Sequence, residues 1–316
     1  MENCLYIVVP CYNEEAVLPE TTKRLTAKLT DMIEAGLIAP SSKVLYVNDG
    51  SKDGTWELIE EIHKQNPLFS GISLAHNRGH QNALLAGLMT AKEYAEIVIS
   101  MDADLQDDIE IIDEMVRKYR EGYDVVYGVR SSRKTDSFFK RFTAESFYKL
   151  IGFMGVEIVY NHADYRLTSR RVLESLNEYQ EVNLFLRGIF PAIGYRSTTV
   201  EYERKERFAG ESKYPLKKML AFAWEGITSF TVRPLQFISA LGIIVSAVSL
   251  IVLIAFLISK IFGYTVSGLA TVICSIWLVG GLQLFCLGII GEYIGKIYYE
   301  TKRRPRFIID KNLLEE

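Results

Sequence analysis

Ile97-Val98-Ile99-Ser100-Met101-Asp102-Ala103-Asp104-Leu105-Gln106 is the stretch whose reading decides the fold. It begins as a short apolar run of strand length and turns polar within two residues. Two carboxylates one residue apart after a buried strand repel each other unless a cation sits between them. A hard divalent ion with oxygen ligands, Mg2+ or Mn2+, answers that repulsion and keeps coordination sites open for phosphate oxygens. An isolated Asp-x-Asp is more often an acidic loop in water. The strand from Ile97 to Met101 in front of it turns the reading toward metal.

Working outward, the same rhythm recurs. Leu5 to Val9, Val44 to Val47, Ile72 to Ala75 and Val125 to Tyr127 read as further strands. Helical spacing fills the gaps, over Val17 to Ile33, Trp56 to Ile62, Gln81 to Lys92 and Ile109 to Arg120. Such alternation predicts an α/β fold with a mostly parallel central sheet covered on both faces. Ligands of such sheets bind beyond the carboxyl ends of the strands. Strand one runs into Pro10-Cys11-Tyr12-Asn13-Glu14-Glu15, and strand two into Asn48-Asp49-Gly50-Ser51. With Asp102-Ala103-Asp104, three polar endings share one edge and mark a candidate site. Asp49 stands where a carboxylate can accept hydrogen bonds from a nucleobase, and Gly50 permits close backbone approach. Read alone, the pair fits equally an Asp-Gly turn with Ser51 capping the next helix.

Beyond residue 130 the pattern loosens. Phe138 to Met154 reads as an amphipathic helix and Tyr195 to Tyr202 as a strand. Lys213 to Phe230 reads as a helix lying on a membrane surface, with Lys217 and Lys218 near anionic headgroups. Uncharged runs then follow: 26 residues from Pro234 to Ser259 and 31 from Ile261 to Gly291. A bilayer core needs about 20 apolar residues in a helix. The expected division is therefore a cytoplasmic catalytic domain over 1–212 and a juxtamembrane amphipathic helix over 213–232. A transmembrane hairpin follows over 233–295, with spans near 234–259 and 265–291, and then a basic cytoplasmic tail over 296–316. Lys217, Lys218 and Arg233 precede the spans, while Lys302, Arg303, Arg304 and Arg306 follow them, which places both termini in the cytoplasm. Met1 to Pro10 lacks the pattern of a signal peptide.

A net charge of -3 gives no reason to expect nucleic acid as a partner. Cys4, Cys11, Cys274 and Cys286 form no C-x-x-C pair, so neither a disulfide nor structural zinc is expected. There is no P-loop and no G-x-G-x-x-G after a strand. His76 and His80 are spaced for a metal, yet without further ligands nearby they read as surface or pocket-edge residues.

Taken together, Ile7 to Glu15, Val47 to Ser51, Asn77-Arg78-Gly79 and Met101 to Gln106 resemble the family-2 inverting glycosyltransferases. Within them, the chain is similar to the polyprenyl-phosphate group, which includes dolichol-phosphate mannose synthases and bactoprenol glucosyltransferases. The resemblance implies a GT-A fold. It implies that Pro10, Tyr12, Asn13, Glu14, Asp49, Gly50, Arg78, Asp102, Ala103 and Gln106 line the nucleotide-sugar pocket, with Asp102 and Asp104 serving the metal and diphosphate. Asp164, in His162-Ala163-Asp164-Tyr165-Arg166-Leu167, matches the family's catalytic-region aspartate. Arg207, Ser212 and Lys213, in Arg207-Phe208-Ala209-Gly210-Glu211-Ser212-Lys213, match an element that contacts the acceptor phosphate. A phosphate monoester has its second pKa at about 6 and needs little help to attack. Asp164 is therefore expected to orient the acceptor or a sugar hydroxyl, with base catalysis secondary.

The resulting expectation is transfer of a sugar from a UDP-sugar donor to polyprenyl phosphate in the cell membrane. Glucose is the first choice, ahead of N-acetylglucosamine and mannose. A homo-oligomer and a separate flippase partner are expected with it. The rival readings are a processive polysaccharide synthase, a transferase to another lipid such as a diacylglycerol, and a non-catalytic nucleotide-sugar-binding scaffold. The first would carry more spans and a Q-x-x-R-W element, and this sequence has neither.

Overall fold

The computed structural model describes residues 3–131, 162–181, 185–203, 228, 232–262 and 268–315. Its elements in chain order are β1 (Leu5–Cys11), α1 (Leu18–Glu34), β2 (Lys43–Asn48), α2 (Thr55–Gln65), β3 (Phe69–Leu74), α3 (His80–Ala91) and β4 (Ile97–Ser100). A 3-10 turn (Ile109–Ile111) leads into α4 (Ile112–Arg120), and then come β5 (Val125–Arg130), β6 (His162–Ser169) and α5 (Arg170–Asn177). The remainder is α6 (Leu186–Ile193), β7 (Ser197–Tyr202), α7 (Arg233–Ile261), α8 (Leu269–Lys302) and β8 (Ile309–Asn312).

Eight strands form one sheet in the order β7-β5-β6-β4-β1-β2-β3-β8. β1 pairs in parallel with β2 and β4, β2 with β3, and β5 with β7. A sheet covered on both faces needs strands that are apolar throughout, and all of β1 is buried. Alternation still sorts its side chains. Leu5, Ile7 and Val9 join Leu25 and Leu29 of α1, while Tyr6 and Val8 join Leu84, Leu85 and Leu88 of α3. Each buried Leu or Ile here contributes about 1.5–3 kcal/mol relative to exposure.

The structure adds two strands that alternation did not announce. β6 inserts antiparallel between β4 and β5, and β8 closes the far edge antiparallel to β3. Both lack an apolar run: β6 reads HADYRLTS and β8 reads IDKN. Thus the stretch expected to be a basic tail contributes a sheet strand. The amphipathic helices expected over Phe138 to Met154 and Lys213 to Phe230 lie outside the described residues, apart from Thr228.

α7 and α8 cover the region expected to hold two spans. Among the described residues one stretch is long and apolar enough to cross a bilayer, Leu278–Lys302, and none of it is buried. Arg233–Val245 is a shorter apolar helix. Large apolar side chains stand exposed along both helices, including Ile243, Ile251 and Ile258 on α7 and Ile276, Leu284 and Phe285 on α8.

Candidate functional site

The site is built where β1, β2, β4 and β6 meet one sheet edge. At the end of β2, Asp49 is 3% exposed, and its backbone N–H donates to the Cys11 carbonyl at the end of β1. A carboxylate this buried must be hydrogen-bonded. The amides of Arg78 and Gly79 donate to its two oxygens at 2.7 and 2.9 Å. Burial pushes the Asp49 carboxyl up, and those two amides offset only part of that rise. Asp49 therefore anchors the loop before α3. Gly50 makes the fit feasible: its φ is +63°, and a Cβ there would lie 2.6 Å from the Asn77 nitrogen.

The loop after β1 is tied to the loop after β2 by reciprocal bonds. The Asn13 amide donates to Ser51 Oγ at 3.0 Å, and the Lys52 amide donates to Asn13 Oδ1 at 2.8 Å. The Glu14 amide donates to Thr55 Oγ1 at 3.0 Å, and the Gly54 amide to Glu15 Oε2 at 3.0 Å. Asn13 holds a φ of +54°, in the left-handed region that asparagine tolerates better than most residues. Pro10 is buried in β1, and Tyr12 stands 43% exposed beside the cleft.

The carboxylate loop after β4 is fixed from below and at its exit. Buried Thr21 of α1 donates its hydroxyl to the Ala103 carbonyl at 2.9 Å. Leu105 takes a φ of +56°, and the Gln106 amide donates to Asp104 Oδ1 at 3.1 Å. Asp107, three residues on, is 3% exposed; the Tyr202 hydroxyl donates to its Oδ1. Its carboxyl is pushed up to about 6, by burial first and then by the charge on Asp102. Several carboxylates are thus crowded onto one short loop. Among the described residues no three His, Cys, Asp or Glu side chains gather into a closed coordination site. Two carboxylates with the remaining positions left to water and phosphate are what Mg2+ or Mn2+ accepts, so Asp102 and Asp104 fit such an ion.

β6 delivers Asp164. The antiparallel register sets Arg166 opposite Ser100, which carries Asp164 to the level of Asp102. The Ser100 hydroxyl donates to the Asp164 carbonyl and locks that alignment. The Asp164 side chain then meets three basic groups. Arg166 Nη2 bonds Oδ1 at 2.7 Å; Arg187 on α6 bonds Oδ1 through Nε at 3.3 Å and Oδ2 through Nη2 at 3.0 Å. His80 Nε2 lies 3.4 Å from Asp164 Oδ2 and 3.7 Å from Asp102 Oδ1. Burial would raise the Asp164 carboxyl, but Arg187, His80 and Arg166 outweigh it and hold the group well below the usual carboxylate range. Desolvation would lower His80, but its bond to Asp164 and the charges on Asp102 and Asp164 raise it to about 9.

The expected residues from β1, β2, the loop before α3, β4 and β6 therefore share one edge. Arg207, Ser212 and Lys213 lie outside the described residues. His80, read as a surface or pocket-edge residue, stands at the edge of the site with 44% of its side chain exposed, 3.7 Å from Asp102 and 3.4 Å from Asp164. Two participants escaped the sequence reading. Arg166 lay inside the quoted motif but carried no sign of complete burial. Arg187 is 23 residues from Asp164 with no motif around it, so only the fold reveals it.

Residues 6–176 match the family described as Glycosyl transferase family 2. The glycosyltransferase YkoT of Bacillus subtilis (strain 168) is 55% identical over 312 residues, 99% of this chain and 93% of that protein. The SfII prophage-derived bactoprenol glucosyl transferase of Shigella flexneri is 40% identical over 309 residues, 97% of both chains. Among solved structures, glucosyl-3-phosphoglycerate synthase from Mycobacterium tuberculosis shares 17% identity and a TM-score of 0.48, over 72% of this chain and 78% of that one. The family match spans more than half of the sequence and the relatives align almost from end to end, so this chain belongs to glycosyl transferase family 2.

Proposed function

We propose that the protein transfers glucose from UDP-glucose to the phosphate of a polyprenyl lipid, with inversion at the anomeric carbon. The observation that carries this reading is the near-complete alignment with a bactoprenol glucosyl transferase. The order of groups along the sheet edge supports it. Asp49, Tyr12, Asn13 and Glu14 form the half of the cleft suited to a nucleoside. Asp102 and Asp104 come next, suited to a diphosphate, and Asp164 with its basic partners lies beyond them.

The lipid phosphate oxygen forms the new bond to the anomeric carbon as the bond to the UDP oxygen breaks, and the electron pair leaves with UDP. Asp102 and Asp104 would hold a divalent cation, which when bound would supply charge neutralisation for the departing diphosphate. Asp164 acts by position. Its carboxylate is held ionised by two guanidiniums and an imidazole, so it retains a proton poorly, and the acceptor is already mostly a dianion at neutral pH. The exposed apolar faces of α7 and α8 support attachment to a bilayer, in the reading with two spans and both termini cytoplasmic.

The test uses purified enzyme in detergent with polyprenyl phosphate, Mg2+ or Mn2+, and radiolabelled nucleotide-sugars, following label into the organic phase. Lipid-soluble label from UDP-glucose, abolished by EDTA and by Asp104→Ala, is the expected result. Label from another donor alone would replace the sugar. Donor hydrolysis without lipid label would reject the acceptor.

A further inference from the structure

The bond from Thr21 to Ala103 acts on the peptide plane between Ala103 and Asp104. A peptide unit is planar, so the Ala103 carbonyl and the Asp104 nitrogen turn together. Holding that carbonyl therefore sets the direction in which Asp104 leaves the chain. Ala103 is 4% exposed and belongs to the core that holds Leu18 and Leu25 of α1. A carbonyl at such depth needs a donor, and the Thr21 hydroxyl supplies one at 2.9 Å. Thr21 is itself fully buried. Its hydroxyl also lies 3.2 Å from the Val17 carbonyl one turn back, the acceptor that a helical threonine ordinarily uses. That carbonyl already has its helical bond from the Thr21 amide at 3.1 Å, and Ala103 is the nearer acceptor for the single hydroxyl hydrogen.

The loop around that plane is gripped on either side. Before the carboxylates, the Met101 amide donates to the Val8 carbonyl of β1 at 3.1 Å. After them, the Tyr165 hydroxyl donates to the Asp108 carbonyl at 3.0 Å, and the Tyr202 hydroxyl to Asp107. Between these points Leu105 has a φ of +56°, a left-handed conformation that a leucine keeps only where its surroundings impose it. Thr21 holds the middle. Its helix is also fastened to the other half of the cleft, since the amides of Val17 and Leu18 both donate to the Glu14 carbonyl at 3.0 Å. α1 thus runs from the loop suited to a nucleoside to the loop suited to a metal, and Thr21 is its hydrogen bond to the second.

We propose that Thr21 is a positioning residue for the divalent cation, its hydroxyl holding the Asp102-Ala103-Asp104 main chain in the geometry that the ion requires. The assignment rests on the reading of Asp102 and Asp104 as the metal carboxylates. Thr21 touches neither ion nor substrate and acts through the loop. Without the hydroxyl, the buried Ala103 carbonyl loses this donor, and conformations that turn it elsewhere gain population. A loop that is ready for the ion about a tenth of the time binds it about tenfold more weakly.

The experiment follows UDP binding to the full chain in detergent by calorimetry, in EDTA and across a series of Mn2+ concentrations. Thr21→Val keeps the branched shape and removes the hydroxyl. Thr21→Ser keeps the hydroxyl. Thr22→Val removes the neighbouring hydroxyl, which is bonded 2.9 Å from Tyr46 Oη of β2 and not to the carboxylate loop. Thr21→Val is expected to need about tenfold more Mn2+ than wild type for the same UDP affinity, and to reach the wild-type affinity within about twofold when Mn2+ saturates. Thr21→Ser should stay within about threefold of the wild-type Mn2+ requirement. Thr22→Val should leave that requirement unchanged, whatever it does to the melting temperature. An unaltered Mn2+ requirement in Thr21→Val would overturn the proposal. So would UDP affinity that stays low at saturating Mn2+, which places the damage in the nucleotide loop. An equal rise in Thr22→Val would reduce the effect to lost stability, and an equal rise in Thr21→Ser would assign it to the methyl group. If Thr21→Val does not fold, Thr21→Ala is read against Thr21→Ser by the same criteria. UDP binding by wild type that ignores Mn2+ would overturn the metal reading itself, a failure visible before any variant is made.

Discussion

Asp124 is 5% exposed just before β5, bonded through both oxygens to Arg171 and through Oδ1 to Ser169. Burial would raise its carboxyl, but those partners win and lower it. A carboxylate with a depressed folded pKa contributes stability above its unfolded value of about 3.9, and the contribution fades as pH falls through the folded value. Asp124→Asn should therefore lower the melting temperature at pH 7 and lose that deficit progressively below about pH 4. Melting curves of both proteins across that range check it. At this scale the sequence was informative where chemistry is local. Asp102 and Asp104 announce themselves because a strand and its charged ending are contiguous. Arg187 is silent, since its role arises only when α6 docks beside β6. Asp49 was expected to accept from a nucleobase; among the described residues it accepts from the Arg78 and Gly79 amides, an anchoring that depends on a loop 29 residues away.

α3 shows how an element is fitted rather than merely formed. It packs on β1 and β2 through Gly87, where a Cβ would lie 2.4 Å from Val8 Cγ1 and 2.6 Å from Val47 Cγ2. Gly87→Ala gains helix propensity of about 1 kcal/mol. The overpacking costs about 1–3 kcal/mol and should outweigh that gain. A net loss in urea or thermal unfolding is expected, and a more stable variant would mean that α3 can lift from the sheet. The helices α1, α2 and α4 were legible from their amphipathic spacing, and α3 from a continuous apolar run of helical length between two strands. β6 and β8 were not, for a physical reason. β6 carries Asp164 and Arg166 into the interior, where polar residues pair with one another instead of advertising a hydrophobic run. β8 is an edge strand four residues long, too short to show an apolar pattern.

For the whole molecule, the stretch after α8 returns to the catalytic sheet. Ile308 accepts the Ala75 amide at 3.0 Å, the Leu313 amide donates to Gly71 at 2.9 Å, and the Leu313 side chain is 6% exposed in the core that holds Trp56 and Ile59. Leu313→Ala should cost about 2–3 kcal/mol. Ala75 opens the loop that carries Arg78, so the same substitution should also weaken UDP binding, measured by calorimetry. Unaltered melting and UDP affinity would show that β8 is dispensable. The division of the chain into a domain followed by an anchor and a tail was read from composition. Composition does not record that a short strand can come back across the length of the protein.

β8 has a consequence during synthesis. Its partner β3 is made early, and Asn312 lies 238 positions after Leu74. At about 5–20 residues per second the ribosome needs roughly 10–50 seconds to cross that interval. Throughout it, β3 presents an unpaired strand edge, the feature that invites association between chains. The nascent enzyme must keep that edge from its neighbours until β8 has been made.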